Sequence, residues 1–324
     1  MPDSKRIQYR VEDRRPAVRV DERARVIEGL MAHPAWIEPK YFYDDLGCAL
    51  YAAICQLPEY YPTRTEAAIF REHRDAIAAA VGRGGQFVDL GAGDCAKARW
   101  WMPFLAPRRY MPLDIAAAEL ERALARLAPD FPEVEMLGVA ADFMAGLPLD
   151  GLLDEGPATF FYPGSSIGNF TPSQAVAFLA RVHTECAKRA GSALLIGVDA
   201  KKDARRLDAA YDDALGVTAA FNRNVLAHLD RRFGFGFAIA DFTHRGFYNP
   251  EAGRIEMHLE SLRDHDVTLG DGVARHFARG EHIHTENSYK YAADEFAALL
   301  EEAGFRDLRR FSDAAGDYNV FYAR

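Results

Sequence analysis

Hydrophobic positions recur with different periods along the chain, and the period changes twice. Residues 21–33, 46–57 and 65–81 carry apolar stripes at helical spacing. Between the last two lies Pro58-Glu-Tyr-Tyr-Pro-Thr-Arg64, whose prolines exclude one continuous helix. From residue 86 the pattern becomes one of short β-rich runs. Gln86–Leu90, Tyr110–Ile115, Thr159–Pro163 and Ala193–Val198 read as strands, with another ending before Asp142. Helical stretches at 116–127 and 172–190 separate them, as does the run holding Trp100, Trp101 and Leu105. Such alternation predicts a parallel sheet with helices on both faces. Near residue 200 it stops. Residues 201–232 read as helical and 235–285 as β-rich, with two-residue alternation over Arg254–Glu260. Asp294–Gly304 is a helix closed by a glycine, and 305–311 and 318–323 are closing strands. The first twenty or so residues are polar and expected to be extended.

These elements divide into two units. An α/β sheet core is expected over 66–199 and 290–324, and a second α+β unit over 8–65 and 200–289. The 324 residues, 49% of them apolar, suffice for both cores. The net charge of −9 argues against a nucleic-acid partner, because phosphate backbones are held by Lys and Arg clusters. No stretch reaches the roughly 18 apolar residues of a membrane span, and the charged N-terminus has no apolar leader pattern. Cys48, Cys55, Cys95 and Cys186 form no C-x-x-C pair, which points to reduced thiols and a cytoplasmic protein, expected to be monomeric.

The candidate chemistry begins at Phe87-Val-Asp-Leu-Gly-Ala-Gly93. Gly91 and Gly93 at a strand end let a ligand approach the backbone, and the following helix offers its N-terminal amides. Asp114, 21 residues after Gly93, ends the next strand, where it can bind ribose hydroxyls. Asp142 and Phe143 can take an adenine amino group and stack on the ring. The same glycines, with Ala96, also fit a dinucleotide fingerprint. Asp89 inside the strand, the Asp142-Phe143 pair and the lack of a Y-x-x-x-K pair favour S-adenosylmethionine over a nicotinamide. A second loop, Tyr162-Pro-Gly-Ser-Ser-Ile-Gly-Asn169, places Gly164 and Asn169 at a strand's carboxyl end, although Asn169 could simply cap the helix starting near Pro172. Tyr60 and Met257 read by themselves as core residues, and Tyr211 as a half-exposed helix tyrosine with a structural role. Glu286 and Ser288 share one face of a strand. His282, His284 and Glu286 are too sparse a set to predict a metal, and none is expected.

Taken together these residues resemble the histidine-specific Nα-methyltransferases of ergothioneine biosynthesis, from about Tyr41 to Arg324. The marks are Tyr43-Asp44, Leu57-Pro-Glu-Tyr-Tyr-Pro-Thr-Arg-Thr-Glu66, Asp89-Leu-Gly-Ala-Gly93 with Lys97, and Gly164-Ser-Ser-Ile-Gly-Asn169. Further on come Ala210-Tyr-Asp-Asp213, Phe221-Asn-Arg-Asn-Val225, Ile255-Glu-Met257 and Thr285-Glu-Asn-Ser288. The resemblance implies a Rossmann-like class I methyltransferase core with a second, α+β substrate-binding domain. It implies S-adenosylmethionine on Gly91, Gly93, Lys97, Asp114, Asp142, Phe143 and Gly164. Free L-histidine is the expected substrate, trimethylated to hercynine. Tyr60 would meet its amine, and Tyr60, or water held by it and Tyr43, is expected to help shed the amine's proton. Asn169 and Tyr211 would take its carboxylate, and Met257, Glu286 and Ser288 its imidazole. Another amino acid or small amine such as tryptophan, a non-catalytic binding protein and hydride transfer are the alternatives. The chain departs from the family at Asp89, where Glu is usual, at Asp94-Cys95-Ala96, at Tyr162-Pro163 and at Tyr289.

Overall fold

The computed structural model describes residues 9–15, 22–143 and 146–324. In chain order it begins with β1 (Tyr9–Asp13), α1 (Glu22–Met31), β2 (Ala35–Trp36), α2 (Asp45–Ile54), α3 (Tyr61–Glu72) and α4 (Arg74–Val81). The alternating stretch is β3 (Gln86–Leu90), α5 (Ala96–Leu105), β4 (Arg109–Asp114), α6 (Ala117–Leu127), β5 (Glu135–Ala140), β6 (Ala158–Tyr162), α7 (Pro172–Ala187) and β7 (Ala193–Asp199). Then come α8 (Ala204–Tyr211), α9 (Val217–Phe233), β8 (Phe242–Asn249), β9 (Arg254–Ser261), β10 (His265–Gly270), β11 (Val273–Phe277) and β12 (His282–Tyr289). The chain closes with α10 (Ala293–Glu302), β13 (Leu308–Ser312) and β14 (Tyr318–Ala323).

Eight strands form one sheet in the order β1-β5-β4-β3-β6-β7-β14-β13, in which β14 alone runs antiparallel to the rest. Every residue of β3, β6 and β7 is buried, as expected for strands covered by helices on both faces. The strand order reverses between β3 and β6, so a crevice opens outside their carboxyl ends. A smaller sheet, β2-β12-β9-β8, packs with α2, α8 and α9 around its own apolar core.

Several elements differ from the sequence expectation. The polar leader is a strand where it is described. Tyr9–Asp13 pairs with β5 at the edge of the large sheet, so it joins the core and not the second unit. Val11 supplies the reason: it packs over Gly138, where a Cβ would come within 3.1 Å of Val11. The rest of the leader, and Asp21 of the first expected helix, lie outside the described residues. The helix expected over 65–81 starts earlier, at Tyr61, with Pro62 near its N-terminus where the missing N–H costs nothing, and breaks at His73. The helix expected over 201–232 is two, because Asp213 turns back to cap α9 through the amides of Val217 and Thr218. α3 also straddles the expected boundary at 65. Tyr61 sits in the core of the small unit, and Ile69 and Phe70 in that of the large sheet.

Candidate active site

The crevice at the β3–β6 switch carries one half of the site. Gly91 and Gly93 both have positive φ, 71° and 52°, which only glycine adopts cheaply. The Gly93 amide donates to Asp114 at 3.0 Å, and the Ala116 amide donates to its other oxygen at 3.0 Å. Burial raises the Asp114 carboxyl, while these amides favour its ionised form. The Phe143 ring lies 3.6 Å from where a Gly91 Cβ would be, so a side chain at 91 would press on the ring's wall of the crevice. Open backbone at Gly93, an acid at the β4 end and an aromatic ring beside the glycines fit an adenosyl group. Asp89 lies beneath the loop, fully buried, and accepts from the Tyr110 hydroxyl at 2.8 Å. Desolvation holds its carboxyl up to about 7.

Lys97 is oriented by a residue to which sequence reading gave no role. Its ammonium ion-pairs at 2.6 Å with Glu66, which is 1% exposed. Glu66 also accepts from the Gly164 amide and from the Tyr318 hydroxyl, both at 2.7 Å. Gly197 makes this possible, since a Cβ there would fall 2.2 Å from a Glu66 oxygen. An acid on an otherwise ordinary helix gave no signal beyond its place at the end of the Leu57–Glu66 block.

The other half is a cavity lined by Tyr43, Tyr51, Tyr60, Tyr211, Phe221, Met257 and Glu286. Tyr43 also lines the cleft that runs past Ile115 and Ala116, so the two halves meet at its ring. Tyr51 packs edge-on against Tyr43 and Tyr60, and Tyr60 against Tyr211, with centroids 5.9–6.4 Å apart. Burial pushes the Tyr43 and Tyr60 hydroxyls well above their ordinary pKa. Both are therefore neutral phenols, suited to hydrogen bonding and not to acting as phenolate bases. Asp44 anchors this wall: it caps α2 through the Gly47 amide and accepts from Asn224 and Arg231 of α9.

A bulge in β12 aims the remaining groups. Register slips between His284 and Glu286, with Thr285 as the extra residue. Thr285 stays inside, bonded to Asn222 and the Met257 carbonyl. Glu286 and Ser288 consequently point inward, while His282 and His284 point outward. The bulge thus separates Glu286 from the two histidines with which it could have formed a metal set. On the outer face, Glu256, His258 and His284 instead bring ligand-type atoms within 4.8 Å of one another. There the His258 Nε2 meets Glu256 at 2.9 Å and the His284 Nε2 meets the Glu286 carbonyl at 3.0 Å. Glu286 is partly buried, and desolvation holds its carboxyl up to about 7 against the pull of Lys290.

Asn169 ends a short turn, Ser166–Asn169, that lies directly on β12. Gly168 permits this approach, because a Cβ would come within 2.8 Å of the Tyr289 carbonyl and 3.2 Å of Ser288. The helix-cap reading of Asn169 fails: Thr171 caps α7, in a reciprocal box with Gln174. Tyr211 and Ser288 meet at 3.0 Å, and Lys290 contacts both. Asp199 and Lys290 were missed by sequence reading. An acid ending a wholly apolar strand and a lysine just after a strand that enters a core are the signals that could have found them.

Comparison with known proteins follows the same lines. Residues 22–324 match the family model described as histidine-specific methyltransferase, SAM-dependent. The chain is 38% identical over 312 residues to the histidine N-alpha-methyltransferase of Mycolicibacterium smegmatis, covering 95% of this chain and 94% of that one. It is 37% identical to the protein of the same name from Mycobacterium tuberculosis, over 92% and 93% of the two chains. A more distant relative is the N-methyltransferase imqF of Aspergillus flavus, 26% identical over 94% of this chain and 85% of the other.

Proposed function

The chain belongs to the histidine-specific, S-adenosylmethionine-dependent methyltransferases, and from that premise we propose how its own residues methylate the α-amino group of free L-histidine. The observation that carries the reading is the inward pair on β12. Glu286 lines the aromatic cavity together with Tyr211, and Ser288, on the same face of the strand as Glu286, meets the Tyr211 hydroxyl at 3.0 Å. An acceptor and a hydroxyl on one wall match the two ring nitrogens of an imidazole. Tyr211 and Asn169 are then left for the α-carboxylate, and the amine falls toward Tyr60 and Tyr43, beside the cofactor cleft.

The cofactor, held at Gly91, Gly93, Asp114, Asp142, Phe143 and Gly164, supplies an electrophilic sulfonium methyl. Lys97 contributes by fixing Glu66 and, through it, the Gly164 amide. The chain's task is orientation, worth up to about 7–11 kcal/mol when reactants are well aligned. The amine must be neutral to attack. Tyr60 and Tyr43, as neutral phenols, orient its lone pair and pass its proton to water. The rings of Tyr43, Tyr51, Tyr60 and Phe221 favour a methylated ammonium by about 0.5–2 kcal/mol each, which suits three successive transfers.

The test is to incubate the protein with S-adenosylmethionine and each amino acid separately, following products by mass spectrometry. Mono-, di- and trimethylated histidine are expected in sequence. A product from tryptophan in place of histidine would overturn the imidazole assignment. Tyr60→Phe should lower kcat by roughly tenfold or more, the usual scale for a positioned proton-transfer group. An unchanged rate across pH would remove Tyr60 from the proton path.

A further inference from the structure

The buried cation beside the cavity has no assigned role. Lys290 is 1% exposed and follows β12 directly. Its ammonium donates to the Tyr211 hydroxyl at 2.9 Å and to Ser288 at 2.8 Å, and ion-pairs with Asp199 at 3.0 Å. Asp199 is fully buried at the carboxyl end of β7. It is held by the Tyr61 hydroxyl at 2.7 Å and by Lys202 at 2.6 Å, and its amide donates to Ser165 at 2.9 Å. The cation is thus fixed from the large sheet and reaches two neighbouring hydroxyls at one side of the cavity.

An ammonium has three N–H groups and no lone pair. The three contacts of Lys290 occupy all three. Each hydroxyl that receives one of them cannot give its own proton back to Lys290. Tyr211 and Ser288, 3.0 Å apart, can share one proton between them. The other must point away from Lys290, toward the cavity, and a substrate carboxylate that takes the Tyr211 proton frees the Ser288 proton for the cavity as well.

We propose that Lys290 is a positioning residue that sets the direction of the Tyr211 and Ser288 hydroxyls, making the pair proton donors toward the substrate. This rests on the histidine reading given above and adds a rule of selection to it. Ser288 gives a proton to one ring nitrogen while Glu286 accepts from the other. The site therefore reads a neutral imidazole, with one acceptor and one donor nitrogen. An indole has no acceptor nitrogen and leaves the Ser288 proton unpaired. An imidazolium has two donors and meets a donor at Ser288.

The test is a set of kinetic cycles on the full-length protein with histidine as substrate. Lys290→Met should raise the histidine KM roughly tenfold or more and change kcat by less than about threefold, because ground and transition states lose the same contact. The readout that a packing role would not move is non-additivity. In the Tyr211→Phe/Ser288→Ala background, Lys290→Met should raise KM by less than about twofold further, since the hydroxyls it orients are gone. Should Lys290→Met not accumulate as folded protein, Lys290→Arg read in both backgrounds decides in the same way. Equal effects of the Lys290 change in the two backgrounds, or a wild-type KM for the single variant, would overturn the proposal. Failure of the histidine reading is distinguishable, because then the wild-type protein itself would not methylate histidine.

Discussion

The two halves of the site are built by different means. The cofactor side is made largely of backbone and short-range contacts. Gly91, Gly93 and Asp114 come from two adjacent strands, and Asp114 is satisfied by amides two and 21 residues away. The substrate side is made of side chains gathered from Tyr43 to Lys290, on α2, α8, α9, β9 and β12 and the turns flanking α2, α3 and β12. The first is a feature of local chain geometry. The second depends on two units holding register with each other, so its specificity is expected to be separable from cofactor binding.

This contrast can be broken most severely at Glu66, where both halves of the core loop converge. Glu66→Ala leaves the Tyr318 hydroxyl and the Gly164 amide without their acceptor, at about 1–3 kcal/mol for each buried group left unpaired. Denaturant unfolding should show that loss, and calorimetry should show weakened cofactor binding. Wild-type stability would mean that water replaces the carboxylate without cost.

Gly168→Val is expected to act on one half only. The added side chain meets the Tyr289 backbone and lifts the Asn169 turn from β12. Displacement of about 1 Å can cost roughly a hundredfold in rate. Histidine turnover should fall on that scale while S-adenosylhomocysteine affinity stays within a few-fold. Equal losses of both would show that the halves are not separable. The smallest effect is expected at the exposed Arg122–Asp45 bridge, 3.2 Å long, which spans the two units. Arg122→Ala should leave melting temperature and KM unchanged, because exposed pairs contribute little.

What was legible in the sequence follows the same division. The strands of the parallel sheet and the glycine loop are set by local pattern, and their positions agree with expectation to within one or two residues. The residues of the second half were assembled only through family resemblance. Nothing in the spacing of Tyr43, Tyr211 and Glu286 predicts that they share a cavity. The bulge at Thr285 is silent in sequence, yet it decides that Glu286 faces inward and His284 outward. Asp199 and Lys290 were overlooked because each signal is weak alone and the ion pair that joins them spans distant parts of the chain. The leader strand Tyr9–Asp13 was lost among charges, because an edge strand has only a half-buried face to advertise.

The central claim is that Glu286 recognises the imidazole independently of the cofactor. The direct measurement is titration of histidine into the S-adenosylhomocysteine-loaded protein, wild type against Glu286→Gln, across pH. In the free wild-type protein burial holds the carboxyl near 7, so it is protonated below that pH and ionised above it. Histidine binding should therefore weaken as pH falls through about 7. The glutamine variant should lose that limb, bind histidine roughly tenfold more weakly at pH 8, and keep wild-type affinity for S-adenosylhomocysteine. Histidine affinity that is the same in both proteins at every pH would contradict the account.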